Sequence, residues 1–183
     1  MKSFMNLFSG KQMNPLDPKP EDIYLMDIRH ALSMLSRVNG HYKHFYSVAQ
    51  HALNCAYEAK LRGYSVRLQL ACLLHDGSEA YLSDLSRPVK RYLYQYQVRE
   101  RKLQDQIYKR FALRDLNQED YELIQVVDDA MLKYEMVNLL ARPDFQGGGL
   151  LKDHDLSFRP MEAVCKDFID LAHDLMDRLF IRS

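Results

Sequence analysis

At 183 residues, the chain is long enough to bury a substantial core in one domain without staples. Its 25 basic and 25 acidic residues cancel, which argues against a nucleic-acid duplex or an anionic membrane as the principal partner. Cys55, Cys72 and Cys165 are an odd, widely spaced set that reads as reduced core residues of a cytosolic protein, neither a disulfide frame nor a thiolate metal site.

No apolar stretch reaches the ~18 residues of a membrane span, and the N-terminal segment lacks the apolar core and cleavage site of a signal peptide. A cytoplasmic location is the expectation. Prolines at positions 15, 18 and 20 reject a helix, so residues 1–20 read as an extended lead-in with a short strand or hairpin around 4–13. From about residue 23 the pattern turns helical, with Ile28, Ala31, Leu32 and Leu35 on one face and Asn39-Gly40 as the stop. A second helix is expected over 46–62, where Val48, Ala49, Ala52, Leu53, Ala56 and Ala59 recur at helical spacing between Ser47 and Gly63. The third, over 65–76, is apolar on most sides near its end and so should be central. Beyond Pro88 an amphipathic helix should run to about 112 through Leu93, Val98, Leu103, Ile107 and Phe111. Another, over 118–141, turns Leu123, Ile124, Val127, Met131, Leu132 and Leu139 inward. Residues 142–157 read as a flexible, glycine-rich loop, and a helix over 160–181 closes a single all-α domain, 1–183.

The stretch from Ala71 to Lys90 carries the chemistry: His75 and Asp76 lie side by side at a helix end, followed by Glu79 and Asp84. A His-Asp pair alone is common. A divalent cation needs several imidazoles and carboxylates converging from different elements, with positions left to water or substrate. His51, on the second helix, and Asp128, within the apolar stripe of a later one, are the natural companions. A histidine on an apolar helix face is more often a hydrogen-bonded core residue than a ligand, whereas a carboxylate rarely stays buried without a partner. Asp129 leaves open which of the two adjacent acids points inward; Ile124 and Leu132, four residues to either side, favour Asp128. Two imidazoles and two carboxylates suit one divalent transition metal ion (Mn, Co, Fe, Ni or Zn) better than Ca or Mg.

Tyr46-Ser-Val-Ala-Gln-His51, Leu73-Leu-His-Asp-Gly-Ser-Glu79, Asp84-Leu-Ser-Arg-Pro-Val-Lys90 and Val127-Asp128, in that order, resemble the HD-domain metal-dependent phosphohydrolase superfamily. Within it the resemblance is closest to the bacterial 5'-deoxynucleotidase-like group, and it covers about residues 20–140. It implies an all-α HD-domain bundle with a mononuclear site formed by His51, His75, Asp76 and Asp128. It further implies that Glu79 orients or activates the attacking water and that Asp84 helps hold that water or the substrate. In the nucleotidase group an Arg-Trp pair before the first metal histidine contacts substrate. Here the nearest match is Arg37-Val38, one residue out of step, and the chain has no tryptophan.

The expected activity is therefore removal of phosphate from a nucleoside 5'-monophosphate or similar small phosphomonoester. A phosphodiesterase, a nucleoside triphosphohydrolase and a non-catalytic metal-containing nucleotide sensor are the alternatives. A phosphate needs cationic donors near the metal, and Arg37, Lys43 and Arg87 are the candidates by position. His30, His41 and His44 either extend the site or cap loops, and Tyr92, Tyr94 and Tyr96 read as packing or interface residues. The apolar and aromatic side chains of 92–111 suit either a homodimer or burial within a monomer.

Overall fold

The computed structural model describes residues 4–181. The chain opens with a short antiparallel hairpin, β1 (Met5–Asn6) and β2 (Gln12–Met13), in which Met5 faces Met13. Two-residue strands cannot hold themselves together in water. Side chains tie the hairpin to the first helix, α1 (Leu25–Met34): the Ser9 amide and hydroxyl donate to the Asp27 carboxylate at 2.7 and 2.9 Å, and Phe8 stacks on His30. The remaining elements are helical, so the expected all-α bundle with a short N-terminal hairpin is the observed architecture.

The core is built around α2 (Val48–Leu61) and α3 (Val66–Leu74). The Ser47 side chain accepts the Gln50 amide at 3.1 Å and starts α2, and Gly63, at φ +75°, follows its end. Ala49, Ala52, Ala56 and Ala59 are all buried; their small side chains let the α2 backbone approach its neighbours closely. α3 is capped by Ser65 and buried without interruption from Leu68 to Leu74. α7 (Gln118–Leu139) packs on α2 and α3, and α8 (Met161–Ile181) lays Val164, Phe168, Ala172 and Leu175 against α1, α2 and α3. α7 begins in a reciprocal cap: Asn117 Oδ1 accepts the Asp120 amide, and Asp120 Oδ2 accepts the Asn117 amide. No helix among the described residues is long and apolar enough to cross a membrane.

Three expectations are corrected. The first helix stops at Met34, five residues before Asn39, because the chain turns extended there and pairs with the segment before α2: the Val48 amide donates to Leu35 and the Arg37 amide to Tyr46. The helix expected after Pro88 is divided at Leu93 into α5 (Arg87–Lys90) and α6 (Tyr94–Arg110). Leu103, Ile107 and Phe111 are buried, but Leu93, Val98, Tyr92 and Tyr94 are exposed, so those two tyrosines do not pack within the chain. Finally, residues 142–149 are mostly exposed, but the following segment is strapped across α2. Gln50, Asn54 and Glu58, one turn apart, bond the carbonyls of Asp155 and Ser157, the Leu151 amide and the His154 ring. Composition marks this stretch as flexible; buried polar groups on α2 hold it.

Candidate metal centre

α3 ends at Leu74, and His75 to Ser78 form a turn into the short α4 (Glu79–Leu82). Gly77 permits that turn: a Cβ there would meet the Leu74 carbonyl at 3.0 Å and Ile107 at 3.3 Å. The turn aims His75 and Asp76 at the same space that His51 reaches from α2 and Asp128 from α7. His51 Nε2 is 3.3 Å from His75 Nε2 and 3.2 Å from Asp128 Oδ1. Asp76 Oδ2 is 3.3 Å from His75 Nε2 and 3.8 Å from His51 Nε2, and Asp128 Oδ1 is 3.7 Å from His75 Nε2. Donors about 2.1 Å from a common ion lie about 3.0–3.4 Å apart at adjacent corners of an octahedron or tetrahedron. Three of the five separations, 3.2–3.3 Å, fall in that range, and the other two, 3.7 and 3.8 Å, exceed it by 0.3–0.4 Å.

The hydrogen bonds behind the rings strengthen the fit. His51 Nδ1 lies 2.6 Å from Glu135 Oε1, and His75 Nδ1 lies 2.7 Å from the Cys72 carbonyl. Both partners only accept, so each Nδ1 carries hydrogen and each neutral ring turns its Nε2 lone pair inward. Two lone pairs and two carboxylate oxygens thus face one another across 3.2–3.8 Å. Such a gathering of acceptors repels itself unless positive charge sits within it. Asp76, Asp128, Asp129 and Glu135, against the Arg37 and Arg87 guanidinia, leave two negative charges, which a divalent ion, or a second proton on each imidazole, cancels.

Without a metal, protons fill that role. Burial and Arg37 push the His51 pKa down, but Glu135 and Asp128 outweigh them and it rises. Burial likewise opposes His75, and Asp76 with Asp128 carries it well above the imidazole range. The carboxyls move oppositely: burial raises Asp76, Asp128 and Glu135, yet the facing imidazoles, with Arg37 for Asp76 and Glu135, hold all three below the usual carboxylate range.

His51, Cys55 and His75 present ligand atoms within 4.8 Å of one another, a group that could hold a metal ion. Cys55 stands one turn past His51 on α2 with its Sγ 3.4 Å from His51 Nε2. Cys55 is the buried, reduced residue that the sequence reading expected, and its thiol lies beside the donors. All three cysteines are free thiols. Burial, then Asp128, pushes the Cys55 thiol far up, so it stays protonated beside the ring. The donor set is closed on the His51 side, where exposure is 0%, and opens where the Asp76 and Asp128 side chains are 18% and 16% exposed.

Around the donors, Arg37 is buried and bridges Asp76 Oδ2 (3.1 Å) to Glu135 Oε2 (3.2 Å). It gets there through the left-handed backbone of Val38 and Asn39 (φ 50° and 51°), a conformation costly for a β-branched residue. Asp84 lies against the Val38 backbone, and burial raises its pKa. Glu79 is buried with Oε2 lacking any hydrogen-bond partner; burial, then Asp76 and Asp84, pushes it well up. Lys90 Nζ stands 4.0 Å from Glu79 and bonds Glu100 at 2.7 Å. Arg87 donates to Asp128 Oδ2 and Asp129 Oδ1 at 2.7 and 2.6 Å, so Asp128 faces the imidazoles while Asp129 faces outward.

Other candidates lie apart. Lys43 bonds the Asn138 carbonyl at the C-terminal end of α7, about 15 Å along the helix from Asp128. It is not brought to the donors. His30 stacks on Phe8, His44 bonds the Phe45 carbonyl and His41 is exposed. Glu135 was missed: it is fully buried, two turns past Asp128. The seven-residue spacing between two acids on one helix was the available signal.

No family model matches the sequence. The chain is 37% identical over 111 residues to the uncharacterized protein YfdR of Escherichia coli K12, which covers 61% of this chain and 60% of that protein. It is 38% identical over 93 residues to an uncharacterized protein of Rhodobacter capsulatus, covering 49% of this chain and 47% of the relative. The matches thus span about half to three fifths of the curated relatives' length.

Proposed function

We propose that the protein is a metal-dependent phosphohydrolase of the HD-domain superfamily, nearest the 5'-deoxynucleotidase-like group, that removes phosphate from a nucleoside 5'-monophosphate or similar small phosphomonoester. The observation that carries the reading is the convergence of His51, His75, Asp76 and Asp128 at 3.2–3.8 Å, with an excess of two negative charges and one side open to solvent. These four side chains would hold one divalent transition metal ion. When bound, that ion supplies Lewis acidity toward a phosphate oxygen and lowers the pKa of a water molecule.

The chain's own groups do the rest. Arg37 and Arg87 border the donors, and each guanidinium has five N–H donors, more than its carboxylate partners here use, so both can turn toward phosphate oxygens. Glu79 has a buried oxygen without a partner, a ready acceptor for a proton of the attacking water. Burial, then Asp76 and Asp84, raises the affinity of this carboxylate for that proton. Asp84, tucked against the Arg37-Val38 turn, keeps that turn in place and can hold the same water or a substrate hydroxyl. The water oxygen joins phosphorus, the bond to the 5'-oxygen opens, and the departing oxygen takes up a proton.

Metal analysis of the purified protein, then phosphate release from nucleoside mono-, di- and triphosphates with Mn, Fe, Co, Ni and Zn, tests this. Preferential release from a monophosphate is expected. Asp76→Ala should lose metal and turnover together, whereas Glu79→Ala should keep metal and lose turnover. Nucleotide binding without phosphate release under any metal would overturn the enzyme reading in favour of a sensor.

A further inference from the structure

Glu135 has no exposed surface and spends both oxygens on functional side chains from other elements. Oε1 accepts from His51 Nδ1 at 2.6 Å; Oε2 accepts from Arg37 Nε and the Tyr42 hydroxyl, each at 3.2 Å. Through Arg37 Nη1 the chain of contacts continues to Asp76 Oδ2 at 3.1 Å and so returns to the donor set. Neither contact is local in sequence: Arg37 precedes Glu135 by 98 positions and His51 by 84. A buried carboxylate is costly unless its acceptor sites are filled, and here the His51 imidazole and the Arg37 guanidinium fill them.

We propose that Glu135 is a positioning residue with two limbs: Oε1 fixes the tautomer and direction of His51 for metal, and Oε2 fixes Arg37 for the phosphate of the substrate. This rests on the metal-centre reading above and deepens it. A carboxylate behind a metal-binding imidazole raises its basicity and locks its ring, and loss of such a partner weakens metal binding about 10–100-fold. Glutamine at this position can still accept from His51 Nδ1 through its oxygen, but its amide then meets Arg37 Nε donor to donor. Arg37 must swing away, and the charge that offset its guanidinium is gone. Tyr42 contributes only one hydrogen bond, from a neutral donor, to Oε2.

The test uses the full chain, stripped of metal. Co(II) and Zn(II) affinities are measured by chelator competition at pH 8, the visible spectrum of the Co(II) form is recorded, and orthophosphate binding to the metal-loaded protein is titrated. Glu135→Gln is expected to weaken metal about tenfold or more, shift the Co(II) bands and weaken orthophosphate as well. Arg37→Gln should weaken orthophosphate and, because it frees Asp76, change metal affinity as well, whereas Tyr42→Phe should leave both within about threefold, since Glu135 keeps its charge and both limbs. Folded Glu135→Gln with wild-type metal affinity and an unchanged Co(II) spectrum would overturn the proposal. If that variant does not fold, Glu135→Asp serves: it keeps the charge but is a methylene too short to reach both limbs, and wild-type affinities for both ions would equally overturn it. These binding measurements are independent of turnover. A wild-type protein that binds metal but releases phosphate from nothing would sink the hydrolase reading and leave the Glu135 assignment to stand or fall on its own data.

Discussion

Acidification probes the metal centre through a proton count. At pH 6, below the ordinary imidazole value of 6.5, His51 and His75 are doubly protonated in the metal-free protein, because the facing carboxylates lift both above that value despite burial. Asp76 and Asp128 are ionised there, since the same pairing holds them below the carboxylate range. A metal ion needs the Nε2 lone pair of each ring, so each ion bound must expel about two protons. The logarithm of the affinity should then rise by about two per pH unit, roughly a hundredfold between pH 5.5 and 6.5, or about 2.7 kcal/mol. Above 6.5 the slope should decay as the pH passes the raised imidazole values. For the metal-free fold the sign is opposite: raised imidazoles contribute stability that is complete below 6.5 and is lost as pH rises through their folded values. Calorimetric titration at pH 6 in buffers of different ionisation enthalpy counts the protons directly. Release near zero would mean that the rings do not face the ion, and the assignment of His51 and His75 as ligands would be withdrawn.

Three further outcomes are expected. Gly77→Ala drives a Cβ to 3.0 Å from the Leu74 carbonyl and 3.3 Å from Ile107; overpacking of this kind costs about 1–3 kcal/mol in denaturant titrations, and by displacing the His75-Asp76 turn it should also weaken metal binding. Wild-type values for both would contradict the tight turn. Glu58→Ala removes the buried acceptor of Arg62, the Leu151 amide and His154 and should cost about 3–5 kcal/mol, with faster proteolysis after residue 142. Because those partners hold the Glu58 pKa below its ordinary 4.5 against burial, its stabilisation is present above that pH and is lost as pH falls through the folded value, so the variant should show a flatter acid limb. Cys55→Ser should keep its metal, and the Co(II) wild type should lack an intense thiolate charge-transfer band near the ultraviolet. Such a band would make Cys55 a ligand.

The helices were legible in the sequence wherever a period of 3.6 coincided with a capping residue. Ser47, Ser65 and Asn117 each start a helix with a side-chain bond to the backbone that no distant residue influences. Where a distant partner competes, local pattern failed: residues 35–37 leave α1 to bond the segment before α2, and residues 150–158 are held by α2. The same division runs through the site. His51, His75, Asp76 and Asp128 could be gathered from motif and spacing because each is chemically conspicuous on an apolar element. Cys55 and Glu135 were not, since a thiol one turn from a histidine, and an acid marked only by its seven-residue spacing from Asp128, resemble ordinary residues until α2, α3 and α7 are packed. Burial turns Glu135 from a solvated charge into an acceptor that must be satisfied, and proximity sets the imidazole lone pairs against two carboxylates. Both are properties of pairs distant along the chain, and they exist only once the core has closed.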